Sequence, residues 1–140
     1  MTDTDLIDDW PAAEVSPEVQ AVLDRVAFDA KGLIPAIIQE EGTKDVLMLG
    51  YMDNEAIRRT LTEGRVTFWS RSRQEYWRKG DTSGNRQWVR AAALDCDADA
   101  LLVTVHQEGP ACHTGAHACF DVDPLNPVLG EPVVGSEGDL

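Results

Sequence analysis

The chain has 140 residues, 43% of them hydrophobic and 26% charged, which fits one ordinary globular domain able to bury a core without disulfide staples. A formal net charge of −13 excludes a general binder of nucleic acid or anionic membrane, because both need broad positive surface. The charge is uneven: seven of the twelve Lys and Arg residues lie between Arg65 and Arg90, beside only Glu75 and Asp81, and a cationic band on an acidic chain points to a small anionic ligand held in one place. The sequence has no secretory apolar segment and no apolar run of membrane length, and three cysteines cannot all pair internally, so a reducing cytoplasm is the expected setting.

Taken in order, residues 1–15 are acidic and aperiodic and are expected to form a mobile N-terminal arm. One domain is expected over 16–120, and a Pro/Gly-rich acidic tail over 121–140. Ser16 before Pro17 is a helix start, and Val19, Val22, Leu23 and Val26 recur on one face, with Lys31-Gly32 read as the end. Two apolar runs, Leu33–Gln39 and Val46–Met52, predict a β-hairpin whose strands are buried on both faces. Asp53 is the cap of a second helix, Asn54–Glu63, closed by Gly64. Arg65–Ser70 reads as a strand and Arg71–Arg86 as a long polar connection of functional character. Gln87–Asp95 and Ala100–Gln107 are two further strands joined by an acidic turn. The pattern describes an α+β fold, a β-rich, mixed, largely antiparallel sheet with two helices.

Cys96, Cys112 and Cys119 carry the strongest chemical signal, since thiolates are strong zinc ligands and two of the three sit on a glycine-flanked, histidine-bearing loop. The paired C-x2-C spacing of structural zinc sites is absent. Three thiolates would leave a tetrahedral zinc with an open position for water, whose pKa falls to about 7 in such centres; small buried cysteines without metal are the alternative. Asp95, Asp97 and Asp99 alternate with Cys96 and Ala98, so on an extended or turning backbone the carboxylates lean to one side and Cys96 to the other. They read either as a Mg²⁺ site or as a solvated acidic turn.

His113, beside Cys112, is a candidate general base, an orienter of the zinc-bound water or a fourth zinc ligand. His117 is a weaker candidate, and His106 on a strand reads as structural. Ser70, Arg71, Ser72 and Arg73, then Lys79, Thr82, Ser83 and Asn85, supply forked cations, hydroxyls and, with Gly80 and Gly84, open backbone donors. That set suits phosphate oxygens, a solvated basic loop being the bland alternative. Trp69, Tyr76, Trp77 and Trp88 either stack on a base or simply pack.

Ser70-Arg71-Ser72-Arg73, Trp77-Arg78-Lys79-Gly80-Asp81-Thr82-Ser83-Gly84-Asn85, Asp95-Cys96-Asp97-Ala98-Asp99 and Gly109-Pro110-Ala111-Cys112-His113-Thr114-Gly115 stand in an order and spacing that resembles the phosphoribosyl-AMP cyclohydrolases. The first hairpin is similar too, so the resemblance runs from about Leu33 to Phe120. It implies the third step of histidine biosynthesis, in which the adenine ring of phosphoribosyl-AMP is opened between N1 and C6 by a zinc-activated water. It further implies a cytoplasmic, intertwined homodimer using Zn²⁺ and Mg²⁺, with zinc thiolates drawn from both subunits. Carried over by motif, Cys96, Cys112 and Cys119 are zinc ligands, Asp95, Asp97 and Asp99 bind Mg²⁺, and His113 takes part in catalysis, while the cationic band would hold the substrate's two phosphates.

Two departures from the family pattern stand out. Asp81 stands where a Lys-Gly-Glu-Thr-Ser-Gly loop usually has Glu, and Ala116-His117 stands where a basic pair is common. No trailing helical domain of the kind fused in bifunctional versions is visible, so the pyrophosphohydrolase step is expected elsewhere. A zinc-dependent nucleotide deaminase is a competing reading, but its H-x-E and P-C-x-x-C pattern is missing. A single-strand nucleic-acid platform is opposed by the net charge.

Overall fold

The computed structural model describes residues 15–127. The expected N-terminal arm, Val15 apart, and most of the expected tail lie outside the described residues.

Helix α1 (Pro17–Arg25) begins as its sequence dictates: Ser16 Oγ accepts from the Val19 amide at 3.2 Å, and Pro17 takes the first position, where no N–H is needed. Leu23 is buried and Val19 and Val26 pack beside it. The helix does not run to Lys31-Gly32. Val26 turns to an extended conformation and the Ala27 amide donates to Ala98 O at 2.8 Å, which leads the chain out of the helix. Gly32, at φ +77°, serves a separate turn in which Asp29 Oδ1 accepts from the amides of Lys31 and Leu33 at 2.8 and 2.9 Å.

Strand β1 (Ile34–Glu40) pairs antiparallel with β2 (Val46–Met52), Ile34 opposite Met52. Helix α2 (Asn54–Glu63) follows, capped by Asp53 Oδ1 on the Ala56 amide at 2.8 Å and ended by Gly64 in the left-handed region. Strands β3 (Thr67–Ser70) and β4 (Glu75–Arg78) form a two-stranded antiparallel sheet. The segment read as one long connection therefore contains a strand, and β3 starts at Thr67 while Arg65 only bridges Trp88. Strands β5 (Gln87–Leu94) and β6 (Leu101–Gln107) pair antiparallel, and β6 runs parallel to β1, Ala36 opposite Leu101. The main sheet has the order β2-β1-β6-β5, so the fold is α+β and its sheet is mixed and mostly antiparallel, as the sequence predicts.

The core gathers Ile34, Ile38, Leu47, Met52, Ile57, Phe68, Leu101, Val103 and Val105. Gly50 is required by close packing, since a Cβ there would stand 2.4 Å from the Phe68 ring. The first hairpin is not buried on both faces: β1 alternates buried and half-buried residues, and Val46 and Leu49 of β2 are 43% and 44% exposed. β6 sets the geometry of the candidate site. Its first residue follows the acidic turn and its last leads into the Gly109–Cys119 loop, two ends that lie roughly 20 Å apart at about 3.3 Å per strand residue.

Candidate active site

The loop after β4 is shaped by glycine and clasped by charge. Gly80 sits at φ +90°, and a Cβ on it would meet the Arg86 backbone at 2.6 Å, so the loop closes on itself only with glycine there. The Gly84 amide then donates to Gly80 O at 2.9 Å. Asp81, its side chain 5% exposed, accepts from Arg78 Nε at 2.8 Å and from the Arg65 guanidinium at 3.0 Å, while Arg65 also donates to Lys79 O at 3.0 Å. The acid at the position that departs from the family pattern thus holds the loop shut, a role its sequence setting did not disclose because Arg65 lies sixteen residues away.

This closed loop brings Lys79, Thr82, Ser83 and Asn85 together with Cys112 and His113 around a cleft of about 150 Å³ floored by Trp77. Asn85 can press against the start of the cysteine loop because position 109 is glycine; a Cβ there would lie 2.3 Å from Asn85 Oδ1. Lys79 is only 6% exposed, and burial pushes its ammonium below the usual range against the pull of the Cys119 and Cys112 sulfurs. Thr114 Oγ1 donates to Cys112 Sγ at 3.1 Å and holds that thiol below its ordinary value, whereas burial pushes Cys119 up. Cys112, Cys119 and the buried Lys79 ammonium thus act on one another electrostatically.

Ser70, Arg71, Ser72 and Arg73 line a second, open hollow of about 560 Å³, whose wall Trp77 shares. The Arg71 guanidinium stacks over the Tyr51 ring at 3.9 Å. The predicted grip residues therefore fall into two groups on either side of Trp77. Lys31 also lines this hollow; an isolated lysine near a turn gave no sequence signal.

Asp95, Asp97 and Asp99 do converge, with carboxylate oxygens within 4.8 Å of one another. Asp95 Oδ1 accepts from the amides of Asp99 and Ala100 at 3.0 and 3.2 Å, and Ala98 turns the chain at φ +62°. Asp99 is pushed up to about 6 by its hydrogen bond with Asp97, then by burial and by Asp95. Burial acts upward on Asp95 too, but the amide donors outweigh it and hold that carboxyl below the ordinary value. Such crowding suits a hard cation accepting oxygen ligands.

Cys96 stands apart from the other thiols. It is exposed on the acidic turn at one end of β6, whereas Cys112 and Cys119 belong to the loop at the other end. Among the described residues, no metal-holding group unites the three sulfurs; the groups that do form are the aspartate triad and Glu40, Asp45 and His117. His106 is exposed on β6.

The fold and the cleft describe an enzyme for a small anionic molecule, since the cations, hydroxyls and thiols converge in concave sites rather than along an open basic surface. Residues 48–121 match the family described as phosphoribosyl-AMP cyclohydrolase. A phosphoribosyl-AMP cyclohydrolase of Leifsonia xyli subsp. xyli is 71% identical over 109 residues, covering 78% of this chain and 87% of that protein. Others from Clavibacter sepedonicus and Bifidobacterium longum are 61% identical over 128 residues and 63% over 109, covering 91% and 78% of this chain and 93% and 81% of theirs. The chain belongs to the phosphoribosyl-AMP cyclohydrolase family.

Proposed function

We propose that this protein hydrolyses the N1–C6 bond of the adenine ring of phosphoribosyl-AMP in histidine biosynthesis, as a cytoplasmic homodimer with Zn²⁺ and Mg²⁺ as its metals. The observation that carries the reading is the single cleft in which Lys79, Thr82, Ser83 and Asn85 face Cys112 and His113. The donor set suits the metals: adjacent thiols, one lowered toward thiolate, for the soft ion, and three crowded carboxylates for the hard one. Zinc held by these thiolates would lower the pKa of a coordinated water, to about 7 in catalytic zinc centres, and so would supply hydroxide near neutral pH.

The chain's own residues do the rest. Alkylation at N1 makes the purine an amidinium, with C6 electrophilic. Lys79 and the Thr82, Ser83 and Asn85 donors hold one phosphate, and Arg71 and Arg73 across Trp77 hold the other. Trp77, common to both hollows, is placed to stack on the ring between them. The His113 imidazole at the cleft takes the proton of the water that adds to C6 and returns it to N1 as the C6–N1 bond breaks. C6 becomes a carboxamide carbon and N1 stays on its ribose. The homodimer reading draws support from Cys96, which lies too far along β6 to join Cys112 and Cys119 of its own chain but is exposed for a second copy.

Mass analysis of the reaction tests the chemistry. A product one water heavier than phosphoribosyl-AMP, with no ammonia released, is expected. Ammonia release would mark the competing deamination and contradict the proposal.

A further inference from the structure

The loop that presents Cys112 is a narrow hairpin: the Ala111 amide donates to His117 O at 3.0 Å, the Cys112 amide to Ala116 O at 3.1 Å and the Gly115 amide to Cys112 O at 3.0 Å. Its two feet, Ala111 and Ala118, are buried in the core at 3% and 4% exposure, while His113, Thr114 and Gly115 at its tip are exposed. Among the described residues, the one side-chain hydrogen bond from this hairpin to the main sheet is made by His117, whose Nε2 lies 2.9 Å from Glu40 Oε1 at the end of β1. The carboxylate is itself fixed: Glu40 is largely covered, with 18% of its side chain exposed, and Oε1 accepts from Thr43 Oγ1 at 3.0 Å. Asp45 adds a second carboxylate within 4.8 Å of the pair. β1 is a central strand of the sheet, so the tie reaches rigid structure.

We propose that His117 is a positioning residue, which latches the hairpin to Glu40 and thereby fixes where Cys112 and Cys119 hold their sulfurs. The latch rests on the reading of those cysteines as zinc ligands. It gives a physical role to His117, which belongs to the second of the two departures from the family pattern. A cationic or donor side chain here acts on the thiolates from behind the hairpin, without touching substrate.

The test measures zinc affinity by competition with a chromophoric chelator in wild-type protein, Glu40→Ala, His117→Ala, their double variant and His117→Arg. Loss of a group that orients metal ligands typically weakens binding about tenfold or more, so each neutral single variant is expected to bind zinc about tenfold more weakly. The double variant should be no worse than either single, and His117→Arg, which restores a donor opposite Glu40, should recover most of the loss. Singles that hold zinc as tightly as wild type, losses that add in the double variant, or no recovery with arginine would each overturn the latch. If wild-type protein takes up no zinc, the thiolate reading fails, and amide exchange at Ala111 and Cys112 still decides: faster exchange in Glu40→Ala and His117→Ala supports the latch, and unchanged exchange overturns it.

Discussion

The Tyr76 phenol donates to Asp53 Oδ2 across 2.6 Å while the other oxygen of the same carboxylate caps helix α2. One aspartate therefore locks the start of a helix to strand β4, the strand that carries Trp77 and leads into Lys79. Burial, with the hydrogen bond to Asp53 second, holds the phenol well above its usual range, so it stays a donor at every physiological pH.

Tyr76→Phe is expected to cost about 1.5 kcal/mol, the low end for a hydrogen bond to a charged acceptor, because the pair is only part-buried. Asp53→Ala removes cap and acceptor together and should cost about 2 kcal/mol. Urea unfolding of the two singles and the double variant checks this: the double should lose less than the sum, because both share one interaction.

Gly80 and Gly84 both have positive φ, but only Gly80 faces an obstacle. Among the described residues, Gly84→Ala meets nothing within 4 Å and should cost about 1 kcal/mol for the left-handed conformation alone. Gly80→Ala drives a methyl group into the Arg86 backbone and should cost about 3 kcal/mol or more, while opening the loop that carries Thr82, Ser83 and Asn85. Thermal melts rank the two, and KM should rise in Gly80→Ala far more than in Gly84→Ala.

Glu63 and Glu55, on the same helix, act on stability in opposite directions with pH. Burial raises the Glu63 carboxyl, and its Oε2 is covered with no hydrogen-bond partner among the described residues. The native state therefore holds that proton above the pH at which the unfolded chain loses it, and stability falls as pH rises from the ordinary glutamate range through the raised value. Glu63→Gln should abolish that fall and raise the melting temperature at neutral pH. Glu55 is lowered, chiefly by its hydrogen bond with Arg58, so its contribution is present above the ordinary value and disappears as pH drops through the lowered one. Melting curves of both Gln variants across pH 3 to 8 should diverge in these directions, the range being about that over which glutamates titrate.

Local chemistry made much of the scaffold readable before the structure: Ser16-Pro17, Asp53 and Gly64 mark helix ends by side-chain and backbone requirements that operate within a few residues. Gly32 misled because a left-handed glycine ends a helix and a tight turn equally well, and only the Ala27 to Ala98 hydrogen bond, 71 positions apart in sequence, shows that the helix has already stopped. β4 escaped notice because Glu75-Tyr76-Trp77-Arg78 lacks an apolar alternation and owes its extended form to pairing with β3. The convergence of the aspartates was legible from their spacing on one turn. The separation of Cys96 from Cys112 and Cys119 was not legible from spacing. It depends on which end of β6 each turn occupies, and hence on the register of the whole sheet.

That separation makes the account's central claim testable in one measurement. Cys96→Ser and Cys112→Ser, each expected to be inactive alone, are co-expressed with different tags, and the hybrid dimer carrying one of each is isolated by both tags. In a two-fold symmetric dimer with shared sites, one of the hybrid's two sites carries both defects and the other carries none, so opening of phosphoribosyl-AMP, followed by ultraviolet absorbance, should return to about half the wild-type rate. A hybrid dimer as inactive as its parents, or a Cys96→Ser homodimer with full activity, would contradict the account.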